Sequence, residues 1–106
     1  MRRSHTAVVE RNVVWHGEFA SEPYEVGWAG EALFFVRSLA GSGTGAAAAV
    51  QVSPDGMQWC DEGTALELPA EGKISFCRVA RFGGWLRVAG RCREPVTVLL
   101  SLSLKE

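Results

Sequence analysis

A chain of 106 residues, 47% apolar and 22% charged, has the composition of a soluble globular domain and enough length to bury one core. Its formal net charge of −1 excludes broad electrostatic attraction to nucleic acid, which needs a concentrated basic face; Arg2 and Arg3 make too small a basic end to alter that. No apolar run approaches the ~20 residues that span a bilayer, and Ala7, Val8 and Val9 are followed at once by Glu10 and Arg11, which is no signal-peptide core. The chain is therefore expected to be cytoplasmic or particle-associated, with neither nucleic acid nor membrane as a partner.

The reading is of a single domain over 1–106, with 1–5 as a flexible N-terminal end. Residues 6–10 and 12–19 are rich in Val and aromatics and predict strands. Residues 24–28 follow Pro23 and predict another, with Gly27 marking a bulge or close packing. Residues 31–39 contain the apolar run Leu33-Phe34-Phe35-Val36, and 40–45 read as a loop. Ala46 to Ala49 have high helix propensity, but four residues are too few for a stable helix. Their flanks suit a strand over 46–53, whose small side chains let another element approach closely.

Ser53-Pro54-Asp55-Gly56 supplies turn chemistry. Pro54 presets φ, Asp55 can bond its own backbone, and Gly56 tolerates positive φ. Residues 57–60 predict the returning strand, with Trp59 as a core anchor. A turn at 61–63 and a short strand at 64–68, closed by Pro69, come next. Residues 74–82 and 85–89 predict a second hairpin about Gly83-Gly84, which can adopt the φ values of a two-residue loop. After a polar stretch at 90–94, Pro95 opens the final strand. Val96, Val98, Leu100, Leu102 and Leu104 share one of its faces, and Thr97, Leu99, Ser101 and Ser103 the other. About eight strands with closely spaced turns predict an all-β, antiparallel β-sandwich of the jelly-roll type.

Reactive constellations are not visible. Gly41-Ser42-Gly43-Thr44-Gly45 has neither the following Lys nor the spacing of a phosphate loop, and a strand rather than a helix is expected after it. His5 and His16 have no partner at metal-ligand spacing. Asp55 and Asp61 are explained by turns. Cys60, Cys77 and Cys92 are odd in number and lack C-x-x-C spacing, so they read as free thiols acting as small hydrophobes. No catalytic residue, metal site or cofactor is expected, and the chain is read as not an enzyme.

Four tryptophans is a high count for this length. Trp15, Trp28, Trp59 and Trp85 can all fill a core. If Leu86 and Val88 face inward, however, Trp85 and Arg87 face out and can form a cation–π platform. That platform suits a ligand, a neighbouring subunit or a plain solvated sheet face. Trp28 and Tyr24 join Trp85 and Arg87 as candidate binding residues. Arg78, Arg81, Arg87, Arg91 and Arg93 crowd the last third of the chain, and Glu10, Glu18, Glu22, Glu25 and Glu31 the first. Such a chain can pair head to tail with its own copies, or form ion pairs within one subunit.

Gly43-Thr44-Gly45, then small and β-branched residues, then Val50-Gln51-Val52-Ser53-Pro54-Asp55-Gly56-Met57-Gln58-Trp59, resembles a recurring piece of galactose-binding-like jelly rolls. Discoidin domains (coagulation factor 5/8 type C) carry a similar S-x-D-G-x-x-W hairpin and a later strand similar to Trp85-Leu86-Arg87-Val88. Similar hairpins occur in phage tail and capsid decoration proteins. The resemblance covers about half of the chain, residues 39–88, and implies the jelly-roll fold. Discoidin domains are longer, and their ligand loops and terminal disulfide have no counterpart here. The function expected is a non-enzymatic structural or interaction module that self-associates or decorates a larger assembly, such as a phage-like or particle surface. The alternative is a carbohydrate-binding module using the exposed aromatics Trp85, Trp28 and Tyr24.

Overall fold

Alternation of apolar and polar residues runs through nearly every segment, and the chain resolves it as strands. A computed structural model describes residues 3–80 and 82–106; Arg2 of the basic end and Arg81 of the arginine-rich third lie outside the described residues. The strands are β1 (Ser4–Ala20), β2 (Tyr24–Glu25), β3 (Glu31–Ala40), β4 (Ala47–Ser53), β5 (Cys60–Ala65), β6 (Ile74–Ala80) and β7 (Trp85–Lys105). Every pairing is antiparallel, and the main path runs β5-β4-β7-β3-β6.

β7 is the axis of the molecule. Its first stretch pairs with β4, from Trp85 opposite Ser53 to Arg91 opposite Ala47. Its last stretch pairs with β3, from Thr97 opposite Ala40 to Lys105 opposite Glu31. β1 lies along the other side of β7 over both stretches. The sheet thus has a first half (β1, β7, β3, β6) and a second half (β1, β7, β4, β5), wrapped in a sandwich-like manner around one core. Arg93, Glu94 and Pro95 fall where β7 changes partner and β1 slips register, so the missing N–H of Pro95 interrupts no ladder.

The inward faces follow the period of two. In the first half Phe34 lies opposite Leu102 and Cys77, and Val36 opposite Leu100, all buried. In the second, Val50 lies opposite Val88, both fully buried, as is Leu86. Each such Leu or Phe contributes about 1.5–3 kcal/mol by leaving water. The segment after β5 closes the sandwich. Leu66 and Leu68 are buried, the Leu66 N–H donates to Ala48 O at 3.0 Å, and the buried Ser38 hydroxyl donates to Pro69 O at 2.8 Å. Gly90 lets β4 and β7 approach closely: a Cβ there would sit 2.0 Å from Ala47 O.

The all-β antiparallel expectation holds, with seven strands rather than about eight among the described residues. Two pairs of expected strands are continuous. Residues 6–10 and 12–19 merge into β1 because bulges, one with Asn12 at φ 54°, absorb the break in alternation. The stretch at 90–94 likewise lies inside β7. The expected hairpin at Gly83-Gly84 does not form, because β6 pairs with β3 while the start of β7 pairs with β4. The link there carries the chain from one half of the sheet to the other. β5 begins at Cys60 and ends at Ala65, displacing the expected strands at 57–60 and 64–68. Of the end read as flexible, Ser4 and His5 pair with Lys105 and Leu104.

Candidate interaction surface

The four residues singled out in the sequence fall into two groups. Trp85 and Arg87 face outward from the second half, as the burial of Leu86 and Val88 requires. Trp85 is half-buried against the turn: a Cβ on Gly56 would lie 3.3 Å from its ring. The cation–π partner of Arg87 is Trp59 and not Trp85, with the guanidinium 4.4 Å from the Trp59 ring centroid. Trp59 is accordingly half-buried and does not anchor the core. It stands in the link between turn and strand, where its indole lies flat under the arginine. Trp15 is the tryptophan that the core takes, 2% exposed and stacked on Phe19 at 4.2 Å.

Tyr24 and Trp28 lie near the paired ends of β1 and β7. The Tyr24 hydroxyl is 3.0 Å from His5 Nε2, and the Arg3 guanidinium lies 4.5 Å over the Trp28 ring. Arg3 also donates from Nε to Glu106 at 3.1 Å. Each candidate aromatic therefore spends a face or its hydroxyl on a neighbour within the chain, and the four build no common platform.

The turn that carries Trp59 is set as its sequence dictates. The Ser53 hydroxyl accepts the Gly56 N–H at 2.8 Å and donates to Asp55 Oδ1 at 2.9 Å. Asp55 in turn accepts the N–H groups of Gln58 and Met57, each at 2.9 Å. Those backbone donors, Gln58 first, then Met57 and the Ser53 hydroxyl, hold the Asp55 carboxyl below the usual carboxylate range.

On the outer face of the second half lies a shallow groove of about 960 Å³ with Ala20, Ala47, Ala49, Ala65 and Ala89 along its floor. Several of its polar groups already bond to one another. Arg87 donates from Nε to Gln51 Oε1 at 2.8 Å, Gln51 donates to Asp61 at 3.1 Å, and Arg91 is paired with Glu18. Burial lowers the Arg87 pKa, and the guanidinium remains charged at neutral pH. Small residues at 46–49 do leave room for a close approach, but none of the described residues occupies it.

The outer face of the first half is different in kind, and sequence reasoning missed it. Phe76 of β6 lies opposite Phe35 of β3, Phe35 opposite Ser101 of β7, and Ser101 opposite Val8 of β1. In the neighbouring row Ile74 lies opposite Arg37, Arg37 opposite Leu99, and Leu99 opposite Arg11. Directly opposed residues share a face, so this face gathers Phe76, Phe35, Ile74, Leu99 and Val8, with Ser101 and Arg37 among them and Arg11 beyond Leu99. Exposure is 62% for Ile74, 54% for Phe76, 45% for Val8 and 58% for Val14. Phe35 and Phe76 contact with centroids 5.8 Å apart, and Arg78 lies 6.0 Å over Phe76 while paired to Glu31 at 3.8 Å. The signal was present as parity: Leu33-Phe34-Phe35-Val36 cannot bury all four side chains in a strand, and Ile74, Phe76 and Arg78 alternate with the inward Ser75, Cys77 and Val79.

The cysteines are free. Burial pushes Cys77 up to about 11 and raises Cys92, whose Sγ lies 3.1 Å from Trp15 O; both are held as thiols. Among the described residues no three of His, Cys, Asp and Glu gather as a metal site would need. No helix of the described residues is long and apolar enough to cross a membrane.

No family model matches this chain, and no curated protein does. Solved structures give likeness of fold. A chain in the structure of infectious bursal disease virus, Gx strain, superposes over 98% of this chain with a TM-score of 0.52 at 8% identity. This chain spans 32% of that viral chain. PirA is matched over 97% of this chain and 93% of its own, with a TM-score of 0.46 at 12% identity. The viral likeness supports the β-sandwich.

Proposed function

We propose that this chain is a non-enzymatic structural module that self-associates through the first half of its sheet. The observation that carries this reading is the set of outward apolar side chains Ile74, Phe76, Phe35, Leu99 and Val8 on one face, interspersed with Arg37 and Ser101. Large apolar side chains left exposed together on one face mark contact surfaces. Arginine among these side chains suits such a surface, since Arg and aromatic residues are enriched at interfaces while Lys and Glu are depleted. The likeness to a viral chain reaches only the fold, which hosts many functions, and is compatible with a particle-associated role. Carbohydrate binding through Trp85, Trp28 and Tyr24 draws no support from their placement.

Light scattering on a sizing column across a concentration series tests the reading. A defined oligomer is expected. A monomer up to about millimolar concentration, well above the Kd of a stable interface, would sink it.

A further inference from the structure

The outer strands of the first half are β1 and β6, and β6 alone is regular. Its pairing with β3 runs through seven consecutive residues, from Ile74 opposite Arg37 to Ala80 opposite Glu31, without a bulge. Among the described residues, the backbone of β6 has no strand partner on the side away from β3. The connection from β5 touches the strand through the Ser75 hydroxyl, which donates to Glu67 O. Ser75 belongs to the inward row with Cys77 and Val79, so this contact holds the strand from beneath. Outward, β6 shows Ile74, Phe76, Arg78 and Ala80, all exposed. A regular, apolar, unpaired edge is a template for another strand.

Building on the self-association proposed above, we infer that the occupant of this edge is β6 of a second copy, paired antiparallel about a twofold axis through Cys77. The strand is self-complementary in that register. Each Phe76 lies opposite Arg78 of the other copy, which reproduces between chains the cation–π pairing that Arg78 already makes within one. Each Ile74 lies opposite the small Ala80. Centring on residue 78 would set like charges face to face, which is unfavourable; centring on residue 76 would leave Val79 and Ala80 unpaired. In the chosen register all seven residues pair, and Ile74 and Phe76 of each copy meet Ala80 and Arg78 of the other along the seam.

Two substitutions and one cross-link test this. Phe76→Lys places a charge on the edge strand, a device that proteins use to block such pairing. It is expected to convert the dimer to a monomer with the near-UV circular dichroism unchanged. Val8→Lys, on the same face but at β1, is expected to leave the dimer intact. For register, Phe76→Cys protein is mixed with Arg78→Cys protein, both with Cys60→Ser and with Cys77→Ala, since the axis sets Cys77 opposite its own copy, and mildly oxidised. Opposed Cβ atoms at ~4.5–5.5 Å lie near disulfide reach, so a disulfide-linked dimer is expected from the mixture and from neither protein alone. A dimer that survives Phe76→Lys, or one lost on Val8→Lys, overturns edge pairing and leaves self-association standing. Cross-linking of Phe76→Cys alone overturns the register. A wild-type protein monomeric at every concentration overturns both readings.

Discussion

β1 and β6 flank the same half of the sheet, and they treat an open edge in opposite ways. Along β1 the pairing with β7 slips three times, between Val8 and Glu10, between Arg11 and Val13, and between Trp15 and Gly17. The first two put an extra residue into β1, which bends the strand and spoils the straight row of donors and acceptors a newcomer would need, and at the third the extra residues are on β7. β6 has no such irregularity. Apolar side chains are exposed on both strands, Val8 and Val14 on one and Ile74 and Phe76 on the other. The difference between them is therefore in the backbone, not in hydrophobicity. Blunting one edge and leaving the other regular confines strand addition to one side, which yields a closed pair instead of an open fibre.

The contrast can be broken most forcefully at Trp15, which lies at the third slip and ties β1 to the core. Trp15→Ala should lower the unfolding free energy by about 3–5 kcal/mol in chemical denaturation. Trp15→Phe should cost much less, because the Trp15 indole N–H has no hydrogen-bond partner among the described residues, and its removal offsets part of the lost packing. A midpoint unmoved by Trp15→Ala would show that β1 is not anchored there. Next in size is Asn12→Val. A β-branched residue at φ 54° should cost about 1–2 kcal/mol, whereas Asn12→Gly should be nearly neutral. If β1 is protected by this bulge, Asn12→Val protein should also form species larger than the wild-type oligomer. On the regular side, Ile74→Thr should move stability by no more than about 0.5 kcal/mol, as expected for an exposed position, while weakening association.

The smallest effect concerns neither edge and serves as a control. Asp55 titrates below its unfolded value, so its carboxylate contributes stability above the unfolded pKa, and that contribution is lost as pH falls through the folded pKa. The gap in thermal midpoint between wild type and Asp55→Ala should be full at neutral pH and shrink in acid. A gap that widened on acidification would contradict the hydrogen bonds assigned to the turn.

Local chemistry in this chain was legible, and long-range pairing was not. Ser53-Pro54-Asp55-Gly56 announces its turn because the deciding contacts span only a few residues, and the alternation in 96–104 announces the buried face of β7. Trp59 misled because bulk predicts burial on average, whereas a ring in a turn link can lie under Arg87 instead. Gly83-Gly84 permits a tight hairpin but equally permits a crossing between halves, and only the partners of β6 and β7 decide. The merged strands escaped notice because a bulge shifts the phase of alternation and so imitates a strand end. The apolar face was readable in part, by parity in Leu33-Phe34-Phe35-Val36. That β6 would lie beside β3, and so bring Phe76 against Phe35, depends on contacts some forty residues apart.

The central position of β7 carries a consequence for how the molecule comes into being. β1, β2, β3 and β4 all pair with β7, the last strand in chain order. Only the β3–β6 and β4–β5 ladders can form before it arrives, each a two-stranded unit of marginal stability in water. Nearly all of the folding free energy must then be gained in one late, long-range step, which places the domain among slow folders, in the millisecond-to-second range. A growing chain passes through a stage in which β6 is apolar, regular and unattended before the core exists. The strand inferred to join two finished copies is thus the one most in need of protection during synthesis.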